Sequence, residues 1–142
     1  MAKLIFVNLP VADIVASTAF YERIGATKNA MFSDATTSCM VFSDTIHFML
    51  LSHERFRTFT TKAIVDARGM TEVLTCLSED SRDDIDARIA TAIAAGGRED
   101  TDAAQDYGFM YGRRLEDLDG HSIDLMWMDM EAAAKAMQPP AA

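Results

Sequence analysis

The sequence predicts an α+β domain of two tandem β-α-β-β-β units, and three observations predict it. An apolar extended run followed by an amphipathic helix occurs twice; each helix has a capping side chain before it and glycine after it; and three shorter extended runs follow each helix. At 142 residues with 49% hydrophobic content, the chain has the size of one domain. A core of that size needs no disulfide or metal to hold it.

In the first unit, Leu4 to Leu9 is an apolar, β-branched run stopped by Pro10, which has no N–H to give a ladder. Asp13 supplies an N-cap, Ala16, Ala19, Phe20 and Ile24 repeat at helical spacing, and Gly25 ends the helix. Extended runs follow near 28–33, 37–42 and 45–51, separated by Ser33-Asp34 and Ser43-Asp44. Residues 52–70 are mixed and polar and read as a connection, either an ordered lid or a plain linker.

The second unit repeats the order. Glu72 to Leu77 is extended, Ser81 caps a helix striped by Ile85, Ile89, Ala92 and Ile93, and Gly96-Gly97 stops it. Extended runs follow near 98–101, 108–115 and 121–128, the last two joined by a loop ending in Asp119-Gly120. Glu131 to Met137 is alanine-rich and favours a short helix, and Gln138 to Ala142 a frayed tail. The expected organisation is one domain over 1–142, with a first unit at about 1–53, a connection over 54–70, a second unit over 71–129, and a C-terminal helix and tail over 130–142.

With 22 acidic against 13 basic residues the net charge is −9, which repels nucleic acid and anionic membrane and permits a cationic small molecule. The opening apolar run is too short for a signal core or a membrane span, so the expected location is cytoplasmic. Cys39 and Cys76 lie far apart in apolar surroundings and read as buried, reduced thiols. There is no nucleophilic triad, phosphate loop, dinucleotide fingerprint or zinc spacing.

Asp124, on the apolar run Ile123 to Trp127, is the candidate catalytic residue: a lone carboxylate there is costly without a polar partner or a ligand. His47 and Met49 share a strand face, and Asn8 shares one with Phe6, so each can line a pocket. The plainer readings are a hydrogen-bonded core histidine and an asparagine capping its own strand end. Met49, Met126, Met128 and Trp127 offer a polarizable surface for an aromatic ligand, or simply fill core. Tyr107, Tyr111, Arg113 and Arg114 surround the penultimate run, where a phenol and a guanidinium can meet a substrate carboxylate or else face solvent.

Phe6-Val7-Asn8-Leu9-Pro10-Val11-Ala12-Asp13 with Ser17, Phe20-Tyr21 and Gly25 resembles the opening of glyoxalase and bleomycin-resistance proteins. Gln105-Asp106-Tyr107-Gly108-Phe109-Met110-Tyr111-Gly112 and Asp117-Leu118-Asp119-Gly120-His121 are similar to the closing hairpin of the same vicinal-oxygen-chelate superfamily. The resemblance covers almost the whole chain and implies a cupped mixed sheet, the glyoxalase/bleomycin resistance/dioxygenase fold, with a small-molecule site in the cup. It also implies where metal ligands would fall: Phe6, a position near Met49, one near Leu74, and Asp124. Of these only Asp124 suits a hard ion. No cofactor is therefore expected, and a divalent metal held by Asp124 and His47 is the alternative.

Three functions remain open on this reading. One is a binding protein of the bleomycin-resistance kind, with Phe6, Asn8, His47, Met49, Leu74, Tyr111 and Met126 contacting the ligand. Another is a metal-dependent lyase, isomerase or dioxygenase acting on a vicinal-oxygen substrate. The third is metal-free acid–base chemistry at Asp124 with Asn8 or Tyr111. Sheet edges that need cover, and the pairing common in the family, imply a homodimer.

Overall fold

The computed structural model describes residues 2–137. In chain order these form β1 (Ile5–Val11), α1 (Ile14–Arg23), β2 (Thr27–Lys28), a 3-10 turn (Ala30–Phe32), β3 (Thr37–Val41), β4 (Ile46–Ser52), α2 (His53–Phe56), β5 (Thr75–Ser78), α3 (Arg82–Ala94), β6 (Arg98–Asp106), β7 (Met110–Glu116), β8 (Ser122–Met128) and α4 (Met130–Ala136). Each unit makes its own four-stranded mixed sheet, ordered β1-β4-β3-β2 and β5-β8-β7-β6. The first strand of each is parallel to the fourth and the other pairs are antiparallel, so β1 and β5 are edges. No helix among the described residues is long and apolar enough to cross a membrane.

Alternation along the strands decides which face is buried. In the first sheet Val7 pairs with Phe48, Leu9 with Leu50, and Met40 with Phe48. These join Phe20, Tyr21 and Ile24 of the α1 segment in the core. In the second sheet Leu115, Ile123 and Leu125 join Ile85, Ile89 and Ala92 of α3. The two sets form one cluster, so the units pack through their helix-bearing faces and turn their other faces outward. Gly97 lies at this junction: a Cβ there would fall 2.6 Å from the Glu116 carbonyl oxygen and 2.8 Å from Phe20 Cε2.

The local signals act as expected. Asp13 accepts from the Ala16 N–H, Ser81 from the Asp84 N–H, and Gly25 and Gly96 leave their helices at φ +108° and +100°. Other expectations need correction. β1 runs through Pro10 to Val11, because an edge strand tolerates a missing N–H. β2 keeps only two residues, since the Asn29 side chain accepts from Met31 N–H and caps a turn instead. β6 extends to Asp106 across a register shift.

Helix faces differ too. α1 buries Ser17 and Thr18, not Ala16 and Ala19, because the polar pair is satisfied: Thr18 meets Ser38 at 2.8 Å and Ser17 meets Asp119 at 3.4 Å. Ile93 is exposed at the end of α3, and His53 is half-buried at the start of α2. Cys39 is buried, whereas Cys76 is exposed. The tail from Gln138 lies outside the described residues.

The turn between β7 and β8 fastens the second unit to the first. Asp117 accepts from Tyr21 Oη at 2.6 Å and from the N–H groups of Asp119 and His121, each at 2.9 Å. Asp119 accepts from Ala12 N–H at 2.9 Å, and His121 Nε2 lies 2.7 Å from the Pro10 carbonyl oxygen, the geometry of a donor. Burial pushes the Asp117 carboxyl up, and burial together with Asp117 pushes the Tyr21 phenol well up.

Two outcomes follow for stability. Gly97→Ala is expected to lower the unfolding free energy in urea by about 1–3 kcal/mol through overpacking, while Gly69→Ala, with nothing within 4 Å, stays within about 0.5 kcal/mol of wild type. For Asp117, a carboxyl raised in the folded state contributes stability below the ordinary carboxylate range and loses it as pH rises through the raised value. Wild type is therefore expected to gain stability relative to Asp117→Asn as the pH falls from about 7 to about 4. A flat difference across that range, measured by thermal melts, would contradict it.

Candidate functional site

Residues on the outward faces follow from register. In the first sheet Phe6 pairs with His47 and Asn8 with Met49, and Met49 pairs onward with Cys39. The Phe6 and His47 rings stack, with centroids 4.5 Å apart and planes 17° from parallel. His47 Nδ1 lies 3.3 Å from the Ile5 carbonyl oxygen, and the Asn8 amide nitrogen lies 3.4 Å from that of Phe6. The half-exposed Phe6 ring and the Met49 thioether make this face apolar and polarizable.

In the second sheet Asp124 pairs with Cys76 on one side and with Arg114 on the other, and Arg114 pairs onward with Asp100. The Arg114 guanidinium forks onto Asp124, Nε to Oδ1 at 2.5 Å and Nη2 to Oδ2 at 3.2 Å. Its Nη1 reaches Asp100 at 3.4 Å. Two carboxylates thus share one guanidinium, leaving this row one negative charge in excess. Met126 pairs with Gly112 beside it, and Leu74 stands exposed just ahead of β5. Burial, and then the Asp124 charge, push the Cys76 thiol up, which works against a reactive thiolate.

Of the residues expected to form the site, Phe6, Asn8, His47 and Met49 come together on one sheet, and Asp124 and Met126 on the other. Tyr111 is placed elsewhere. It points to the helix side, donates to Asp86 of α3 at 2.5 Å, and lies under Arg82, whose guanidinium carbon is 4.9 Å from the ring centroid. Arg113, on the same side, is held by Glu99 and Asp86. Odd-numbered residues of β7 face the helix, so Tyr111 and Arg113 bind α3 and β6 while Arg114 faces outward. The pairing of Arg114 with Asp124 was open to sequence reasoning: once Asp117 to His121 is taken as the turn, counting back along both arms sets the two side by side.

The donor positions do not suit a divalent metal. Phe6, Met49 and Leu74 offer no nitrogen or oxygen side-chain ligand, and Asp124 is engaged by Arg114. Asp117, Asp119 and His121 have ligand atoms within 4.8 Å of one another. Asp117 accepts from Tyr21 Oη, Asp119 accepts from the Ala12 N–H, and His121 Nε2 points at the Pro10 carbonyl, so all three residues also fasten the two units.

No family model and no curated protein matches this sequence. Solved structures do match the fold. A hypothetical protein from S. aureus is 21% identical with a TM-score of 0.74, covering 89% of this chain and 94% of that one. A glyoxalase/bleomycin resistance protein/dioxygenase family enzyme from Burkholderia phytofirmans PsJN is 20% identical with a TM-score of 0.70, covering 88% and 98%. The genomically encoded fosfomycin resistance protein FosX from Listeria monocytogenes is 16% identical with a TM-score of 0.69, covering 96% and 98%. The chain therefore has the glyoxalase/bleomycin resistance/dioxygenase fold. Likeness at these identities establishes architecture, which hosts unrelated chemistries.

The ion pair on the second sheet is testable by a double-mutant cycle. With both side chains less than a third exposed, Arg114→Met and Asp124→Asn are expected to show a coupling of about 1–2 kcal/mol in urea unfolding. Additive effects would mean the pair is solvated and idle.

Proposed function

We propose that this chain is a small-molecule binding protein of glyoxalase-like fold, whose ligand lies against the outward sheet faces and needs no metal. One observation carries the reading: the positions where the fold family's metal ligands would fall hold Phe6, Met49, Leu74 and an Asp124 already paired with Arg114. What these residues offer is a stacked aromatic pair, thioethers and a row one carboxylate in excess. Together with a net charge of −9, they favour a cationic aromatic compound. Asp124 acts as an anchor in this reading, because both its oxygens are already engaged by the Arg114 guanidinium.

A second copy completes the site. β1 and β5 each have one unpaired edge, and Leu4, Ile5, Phe6, Val73 and Leu74 beside those edges are about half exposed. Edges and apolar surface of this kind are covered by pairing. Wild type is expected to sediment as a dimer at micromolar concentration, and Phe6→Asp with Leu74→Asp as a monomer. A monomeric wild type would end the dimer reading.

The binding reading is tested by elemental analysis of protein purified without a metal-affinity step, followed by titration with acridine orange. The expected result is little bound metal and saturable dye binding that Phe6→Ala and Asp124→Asn each weaken about tenfold. Near-stoichiometric Ni, Zn, Fe or Mn that falls in Asp124→Ala or His47→Ala would instead establish the metal-dependent lyase, isomerase or dioxygenase.

A further inference from the structure

A cleft of about 330 Å³ lies between β1, the starts of β5 and β8, and the connection 57–74. It shares only Asn8 with the outward-face residues above, and most of its exposed lining is apolar. The connection that walls it is held at both ends. Upstream, the Ser52 side chain caps α2 by accepting from the Arg55 N–H. Downstream, Arg68 donates from Nη2 to the Leu118 carbonyl at 3.1 Å, and its backbone lies so close to Gly120 that a Cβ there would fall 2.8 Å from Arg68 N.

The polar groups in this cleft are mostly neutral, and several are unused. Among the described residues, the Thr75 and Ser122 hydroxyls and the Asn8 carboxamide oxygen have no protein partner, although no buried side-chain nitrogen or oxygen is left without one. The Thr75 and Ser122 hydroxyls are therefore accessible, Asn8 is exposed, and all three residues line the cleft. Lys62 and Glu72, the two plainly charged lining residues, are of opposite sign and exposed, and His121 is committed to the Pro10 carbonyl.

We propose that this cleft is a second small-molecule site, separate from the outward faces, for a compact uncharged apolar molecule bearing a hydroxyl or amide group. The volume sits at the small end of ligand sites, which span about 300–1,000 Å³, and an apolar wall with a few convergent polar groups is how such sites orient a ligand. A charged ligand would lose its hydration against neutral hydroxyls, and Lys62 and Glu72, opposite in sign, give the lining no net counter-charge. The site stands on its own lining and does not depend on the reading of Asp124, and Val73 belongs both to it and to the surface proposed to pair.

The probe is 2-naphthol, titrated into the full chain and followed by amide chemical shifts. Saturable one-to-one binding is expected, with shifts concentrated in residues 60–75 and at Ser122. Thr75→Val combined with Ser122→Ala should weaken it about tenfold, while Phe6→Ala leaves it unchanged. Ala63→Leu, on the exposed connection, should also weaken it, and well-dispersed spectra of each variant confirm that it is folded. Naphthalene-2-sulfonate should bind at least about tenfold more weakly than 2-naphthol. Absence of saturable binding, shifts confined to Phe6, Met49, Asp124 and Met126, or affinity indifferent to Thr75, Ser122 and Ala63 would each overturn the proposal.

Discussion

Burying the Asp117 carboxylate against Tyr21 is the constraint on which the arrangement of the two units rests. A buried carboxylate is tolerable only where donors converge on it, and here a phenol and two turn N–H groups do so. That requirement fixes the turn. The fixed turn then delivers Asp119 to the Ala12 N–H ahead of α1 and His121 to the carbonyl of Pro10. With the second unit held by its turn, α1 and α3 pack between the sheets, and Gly97 admits Phe20 where any other residue would collide. The outward faces are what is left.

That order of dependence explains the contrast between the faces. The helix-bearing sides are closed by apolar packing and by ion pairs such as Arg113 with Glu99 and Asp86, all internal to the chain. The outward sides carry the stacked Phe6 and His47 and the row of Asp124, Arg114 and Asp100, in which one guanidinium is shared by two carboxylates. A charged row beside Cys76 and Met126 gives this face both charge and polarizable sulfur.

What was legible in the sequence were the features whose causes are local. Asp13, Ser81, Gly25 and Gly96 act within a few residues of themselves, and each does what its type and position imply. Features set by tertiary partners were not legible. Ala16 and Ala19 carry the apolar spacing of α1, yet it is Ser17 and Thr18 that are buried, against Asp119 and Ser38, and Tyr111 looks like a ligand group until Asp86 takes its hydroxyl. The candidate site was partly visible: Asp124 declares its need of a partner by its apolar neighbours, but naming Arg114 requires the hairpin register. The cleft beneath the connection leaves no periodic signal, because irregular backbone has none.

The hydrogen bonds that fasten the two units join residues 96, 107 and 111 positions apart. Contacts so distant close late, since the whole intervening chain must first be brought to order. During synthesis, the first unit leaves the ribosome before the partners of the Tyr21 hydroxyl and the Pro10 carbonyl, which lie in a turn some hundred residues downstream. The duplicated chain is thus asymmetric in time though repeated in form: its first half waits, its second half completes, and the interval between them is when the nascent protein most needs protection from its neighbours.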